Sequence, residues 1–374
     1  MPSAWWLVVR KVVPIVVLAA VCAGMWLLPG PRKLANEGGE TSRAEIVEVD
    51  DSSLQVHGLL EFGTQKLKVR LPDGSVHEAC NEIRAQMELD KKFKVGDTAL
   101  VILGSDPLIA RDHWRLGWMS VLFGAFALLL VAFGGWTGAK ALFSFVFSCF
   151  AVWKLLIPLC LSGWPAGWTS FAVVSVLTAV IMYLVAGWTK KGLSAFLGAM
   201  LGIVASLGLA DFFAAVMHVN GATMPFVQTL LYSGYVDLDI ADVFTGAIIL
   251  ASSGAVMDLA MDIASATEEV ARHNPGLSRR ELLLSGLRVG RSVVGTMTTT
   301  LLLAYSGGYL TLLMVFAAQG THPVDFINST LVSAEIVKTL VGSFGLVLVA
   351  PFTAAIAAII HGREFKVQSS RFKV

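Results

Sequence analysis

Charge is what this chain has least of. Its 374 residues include 28 Lys and Arg and 27 Asp and Glu, 15% in all and a net +1, against the roughly 25% usual in soluble domains. There is no overall basic field to attract nucleic acid. Cysteine is sparse too. Of Cys22, Cys80, Cys149 and Cys160, only Cys80 falls outside the apolar runs, so no disulfide framework is written here. No CxxC or Cys/His zinc spacing occurs, and neither a Walker A loop nor a GxSxG elbow is found. ATP-driven chemistry, catalytic residues, a metal site and a cofactor are all unexpected, and so is an enzyme.

What the chain has in quantity is apolar sequence, 55% of its residues, with a mean hydropathy of +0.71. Runs at 12–28, 115–135, 141–162, 169–187, 193–216, 240–266, 291–317 and 330–360 approach the ~20 residues that span hydrocarbon. They predict a mostly helical, polytopic membrane bundle of about eight transmembrane helices. The first run follows Arg10 and Lys11 and reads as a signal-anchor helix within 1–30; a cleaved signal peptide is the other reading of that pattern. Lys140, Lys190–Lys191, the loop 267–290 and the tail 362–374 are basic, whereas 162–168, 219–242 and 318–330 lack Lys and Arg. The positive-inside rule then places both termini in the cytoplasm and the segment 31–112 outside.

That segment changes character. Alternating stretches at 44–49, 54–59, 66–71 and 98–103 read as strands, and Pro72-Asp73-Gly74 turns the third into 75–79. About five short strands in ~70 residues predict a small β-barrel of OB- or SH3-like type. Its strands carry few aromatics for base stacking, only Phe62 and Phe93, so it reads as a docking or structural module with no nucleic-acid role. The remaining domain, 113–361, is the multi-span region.

The chemistry concentrates between Gly254 and Thr300. Asp258 and Asp262 lie one turn apart on an apolar helix and share a face with Gly254, Ser265 and Glu269. Beyond an arginine-rich loop, Thr296, Thr299 and Thr300 share one face of the next span, where they are positioned to meet the aspartates, with Arg291 nearby. Ser278 and Glu281 form a capping box that predicts a short amphipathic helix to Leu287. Glu335 and Lys338 share a stripe of the last span with Gly342 and Gly345; Lys154 and Asp211 are further outer charges. Carboxylates inside a span are costly and tend to face a protein interior or a wet cavity. Asp258, Asp262, Glu335 and Lys338 are therefore candidates for an ion or proton path, with Thr296, Thr299, Thr300 and Arg291 as supporting polar groups. The structural alternative makes Glu335–Lys338 and Asp262–Arg291 ion pairs that set helix register. An intramembrane acid–base enzyme would call for carboxylates on facing helices, and these two share one helix.

The block 242–351, above all SGAVMDLAMDIASATEEV and GLRVGRSVVGTMTTTLLLAYSGG, resembles the YibE/F family of bacterial membrane proteins. One span, a small external β domain and then a multi-span region is similar to its YibE-type members. The resemblance implies a multi-pass protein of the bacterial inner membrane with a YibF-type membrane partner; a homo-oligomer is the alternative. More distantly, Gly254-Ala-Val-Met-Asp258 and Thr298-Thr299-Thr300 are similar to elements of the SecD/SecF and RND permease group. That likeness implies a transporter or exporter coupled to protons or ions, with Asp258 as the proton-linked aspartate. The competing expectation is a non-transporting complex subunit or assembly factor whose β domain docks a partner.

Overall fold

The computed structural model describes residues 39–362 except 88, together with position 24. The expected signal-anchor helix at 1–30 (Gly24 apart) and the basic tail at 362–374 (Gly362 apart) lie outside these residues. The described chain falls into two compact units, 39–133 and 134–362.

The first unit contains β1 (Thr41–Asp50), β2 (Leu54–His57), β3 (Leu60–Arg70), β4 (Val76–Arg84), β5 (Thr98–Ile102) and β6 (Leu108–His113). Alternation sends Ala44 and Ile46, Leu67 and Val69, Ala99 and Val101, and Leu108 and Ala110 into one core. The strand order is β1-β5-β6-β4-β3-β2, and β1 also pairs with β3, so five strands close into a small barrel with β2 hairpinned onto β3. All pairs are antiparallel except β4 with β6. The turn at Pro72-Asp73-Gly74 has Gly74 at φ 87°, where a side chain would be strained. β6 was not among the expected strands.

A buried polar network ties one loop to this barrel. The Gln65 side chain is fully buried; its Nε2 donates to Asp51 Oδ1 at 2.8 Å and to the Phe93 carbonyl at 3.0 Å. Its Oε1 accepts from the Phe93 N–H at 3.0 Å and from Asn81 Nδ2 at 3.2 Å, and Asn81 Nδ2 also donates to the Lys91 carbonyl at 2.6 Å. Gln65→Ala strips both backbone groups of Phe93 of their partners. It is expected to destabilise the barrel by about 3 kcal/mol, since each buried unsatisfied group costs ~1–3. Amide hydrogen exchange across 91–97 in the full-length protein measures this, and unchanged protection there would refute it.

The helices are α1 (Leu116–Ala151), a π-helical turn (Val152–Leu156), α2 (Ile157–Leu161), α3 (Ala166–Ala186), α4 (Lys190–Val216), α5 (Val227–Tyr232), α6 (Ile240–His273), α7 (Arg279–Gly308), α8 (Leu310–Ala318), α9 (Pro323–Asn328) and α10 (Thr330–His361). Five of these segments are long and apolar enough to cross a membrane, or six if the bent pair α7–α8 is one span. Eight spans were expected. The first of those lies outside the described residues. The second and third fall on one helical run, Leu116–Leu161, of 46 residues, interrupted where Gly135 takes φ 53°, ψ −129°. The expected span 291–317 is likewise not straight: α7 and α8 meet at 67°, just after Gly307-Gly308, the kind of sequence at which helices kink.

Within the second unit α6 is central, packing on α3, α4, α7 and α10 with Phe244, Ile248, Ile249, Val256, Leu259, Ala260 and Ile263 fully buried. Small residues draw α4 against α10. A Cβ at Gly198 would collide with Thr353, one at Gly345 with the Ser206 hydroxyl, and one at Gly202 would sit 3.0 Å from Val349 Cβ. The capping box at Ser278 and Glu281 is present, with Ser278 N donating to Glu281 Oε2 at 2.8 Å. The helix it opens does not stop at Leu287. It continues as α7 to Gly308, because Gly286 and Gly290 seat closely on Thr267, Ile263, Ala350 and Ala354. The non-helical part of the expected loop 267–290 is thus 274–278.

Candidate functional site

The charged candidates occupy two separate places. Glu335 and Lys338 lie one turn apart near the start of α10, and Lys338 Nζ donates to Glu335 Oε1 at 2.8 Å. Each side chain is only 16% exposed. At ~1.5 Å per residue Glu335 stands ~7 Å in from the helix start. Its other oxygen, Oε2, is buried without a hydrogen-bond partner. The ammonium sits 5.8 Å from the Phe244 ring and 5.9 Å from the Tyr309 ring, within range of both π faces. The Tyr305 hydroxyl, close to Gly342, is also buried and unbonded. Against this group opens a cavity of about 260 Å³ whose walls include Leu302, Leu313, Phe326, Ile336 and Leu340, with Tyr309 and Glu335 among its lining. Such a centre holds a charge pair in a mostly apolar setting, beside space for a guest and with one carboxylate oxygen uncommitted.

Asp258 and Asp262 lie elsewhere. Both are exposed at the surface of the bundle, as is Gly254 one turn above. Neither aspartate makes an ion pair or hydrogen bond among the described residues. Arg291, Thr296, Thr299 and Thr300 are exposed too. The threonine hydroxyls bond back to their own helix, Thr296 to Val293 O at 2.9 Å, Thr299 to Gly295 O at 3.1 Å and Thr300 to Thr296 O at 3.0 Å. Within one chain the hydroxyls do not reach the aspartates, and Asp262 makes no ion pair with Arg291.

Sequence reasoning passed over Tyr305, Tyr309 and Phe244, since aromatics in an apolar run read as ordinary core. Tyr305 and Tyr309 stand one turn apart, and that spacing was the available signal. It also undervalued Asp211. With Asp239, Asp242, His218 and Asn220 this residue lines a cleft of about 680 Å³ at the ends of α3, α4 and α6. Asp242 there accepts from the Gly167 N–H at 3.0 Å. Among the described residues no three such groups converge in a way that would hold a metal ion.

Long apolar helices packed through small residues, with carboxylates and a lysine set among them, define a polytopic membrane protein. Residues 122–363 match the family model described as YibE/F-like protein, and the chain belongs to that family. Neither a curated protein nor a solved structure matches it.

Proposed function

We propose that this protein is a transporter or exporter that couples movement of a substrate to protons or another ion through its intramembrane carboxylates. The observation that carries the reading is the Glu335–Lys338 pair, nearly enclosed, ringed by Phe244, Tyr305 and Tyr309, and set against an apolar cavity. Ionisable groups in such places are expensive to keep and typically mark substrate or proton routes. Asp258 and Asp262 would form a second station, the role implied by the likeness to SecD/SecF and RND permeases. That likeness rests on the Gly254–Asp258 and Thr298–Thr300 motifs alone. In this reading the protein lies in the bacterial inner membrane, with about eight spans, both termini in the cytoplasm and the barrel outside.

The test is proton flux into liposomes holding an internal pH dye under an imposed gradient, comparing wild type with Glu335→Gln and Asp258→Asn. A wild-type flux lost in both variants, each reconstituted in equal amount, is the expected result. Flux retained in Glu335→Gln would remove the pair from the path.

A second reading, a complex subunit whose barrel docks a partner, is favoured by one observation. The β2–β3 hairpin leaves Val56 63% and Leu59 91% exposed, with Leu60 also uncovered. Deleting 40–104 would then abolish function while Glu335→Gln would not.

A further inference from the structure

The exposed aspartates pose a problem that a single chain does not solve. Gly286 abuts Thr267 and Gly290 abuts Ile263, at 3.0 Å and 3.2 Å from a Cβ built on each glycine. These contacts fix the antiparallel register of α6 and α7. In that register Asp262 is level with Arg291, Asp258 with Gly295, and Gly254 with Thr299. The two exposed strips therefore lie side by side at matching depth: Gly254, Asp258 and Asp262 on α6, and Arg291, Ser292, Gly295, Thr296, Thr299 and Thr300 on α7. Asp258 lies well inside the apolar run 240–266. Lipid is a poor neighbour for this face, because an aspartate or arginine at the centre of a span costs ~2.5–3.5 kcal/mol even on the mildest scale.

We propose that this face is the contact between two copies of the chain, related by a two-fold axis along the membrane normal, and that each copy's α7 completes the polar surroundings of the other's Asp258 and Asp262. Three observations on the face converge. It carries both members of each pairing at one depth, acids on α6 and Arg291 with hydroxyls on α7. A two-fold turn about the normal preserves depth and sets α6 of one copy against α7 of the other, so the face is self-complementary as an isologous interface must be. The chemistry also matches: an ionised Asp262 accepts from Arg291 across the axis. The Thr296 and Thr299 hydroxyls, which bond only to their own helix within one chain, can rotate to donate to the Asp258 carboxylate of the other copy. Finally, Gly254 and Gly295 have open space where a side chain would stand, so backbones from the second copy can approach closely. The pairing stands whether or not the protein transports anything.

The test uses full-length protein with Cys22, Cys80, Cys149 and Cys160 replaced by serine. Two differently tagged copies are expressed together, one bearing Gly254→Cys and the other Thr299→Cys. Mild oxidation of native membranes is expected to link the two tags in one dimer band. Gly254→Cys with Leu201→Cys, an exposed position on α4, is expected to give none. The unmodified protein in nanodiscs should show twice the 40.0 kDa chain mass. A monomeric mass would overturn the proposal. So would a dimeric mass without the 254–299 link, which would put the contact on another face. A link from position 254 to Cys22 in a variant that keeps that cysteine, or to a different polypeptide, would show that something other than a second copy covers these aspartates.

Discussion

Leucine at position 198 is expected to prevent recovery of folded protein, while leucine at position 208 of the same helix is expected to be silent. A Cβ alone at 198 would stand 2.8 Å from the Thr353 Cα, a backbone atom that no rotamer change can move aside. Four carbons would therefore have to push α4 and α10 apart. The seam continues through Gly202 against Val349 and Gly345 against Ser206, so separation at one point loosens the whole contact. Overpacking of this kind costs at least the ~1–3 kcal/mol seen for extra methylenes in a tight core. In a membrane the loss is not recovered by burying apolar surface elsewhere, because lipid tails are as apolar as the helices themselves. Gly208 faces outward with nothing near its missing Cβ, and a change there should stay within about ±0.5 kcal/mol. The monodisperse fraction in detergent and the thermal midpoint measure both variants. Equal behaviour of the two would show that α4 and α10 are not held at this seam.

The second large effect is expected at the charge pair, and its signature is non-additivity. Removing one partner of a buried ion pair leaves the other uncompensated, at a cost of roughly 3–5 kcal/mol. Here the two single variants should differ. Lys338 has a long stem and can carry a stranded ammonium toward the nearby start of α10. Glu335 is shorter, so a stranded carboxylate has less reach toward solvent. Lys338→Met should thus be the more costly single change and Glu335→Gln the milder one. The double variant Glu335→Gln/Lys338→Met is expected to recover most of the stability lost in either single one, a coupling readable by a double-mutant cycle of thermal midpoints. A stable but inactive double variant would separate the transport role proposed for the pair from any role in holding the fold. Simple additivity would mean that the 2.8 Å contact contributes nothing.

How much of this was legible beforehand depended on whether the signal was local. Strand alternation located β1 and β3 because one face of each is buried, and Pro72-Asp73-Gly74 marked β4 as the hairpin partner of β3. β6 escaped because Leu108–His113 ends in four residues with three charged or titratable side chains, a weak pattern for a strand that pairs on both sides. The capping box announced the start of α7 correctly but carried no information about its end. The basic residues before Arg291 looked like loop, yet the buried Gly286 and Gly290 hold that stretch in one long helix. Glu335 and Lys338 were readable as a pair, since their spacing alone brings them together. The relation of Asp258 to Thr296 was not. A helical stripe states which residues share a face, but not whether that face meets a neighbouring helix or leaves the molecule, and here it leaves.

Closure of the barrel restricts how anything could recognise it. Among the described residues β1, β3, β4, β5 and β6 each have strand neighbours on both sides, β4 meeting β6 only at Ala79 and Cys80, and β2 ends the sheet. At β2 an incoming extended segment finds a rim of only four residues, Leu54 to His57, on which to lengthen the hydrogen-bond ladder. That is too short a template for recognition by strand addition to be strong or selective. A partner that reads this hairpin does so mainly through side chains, and the hairpin presents Val56 and Leu59 to be read.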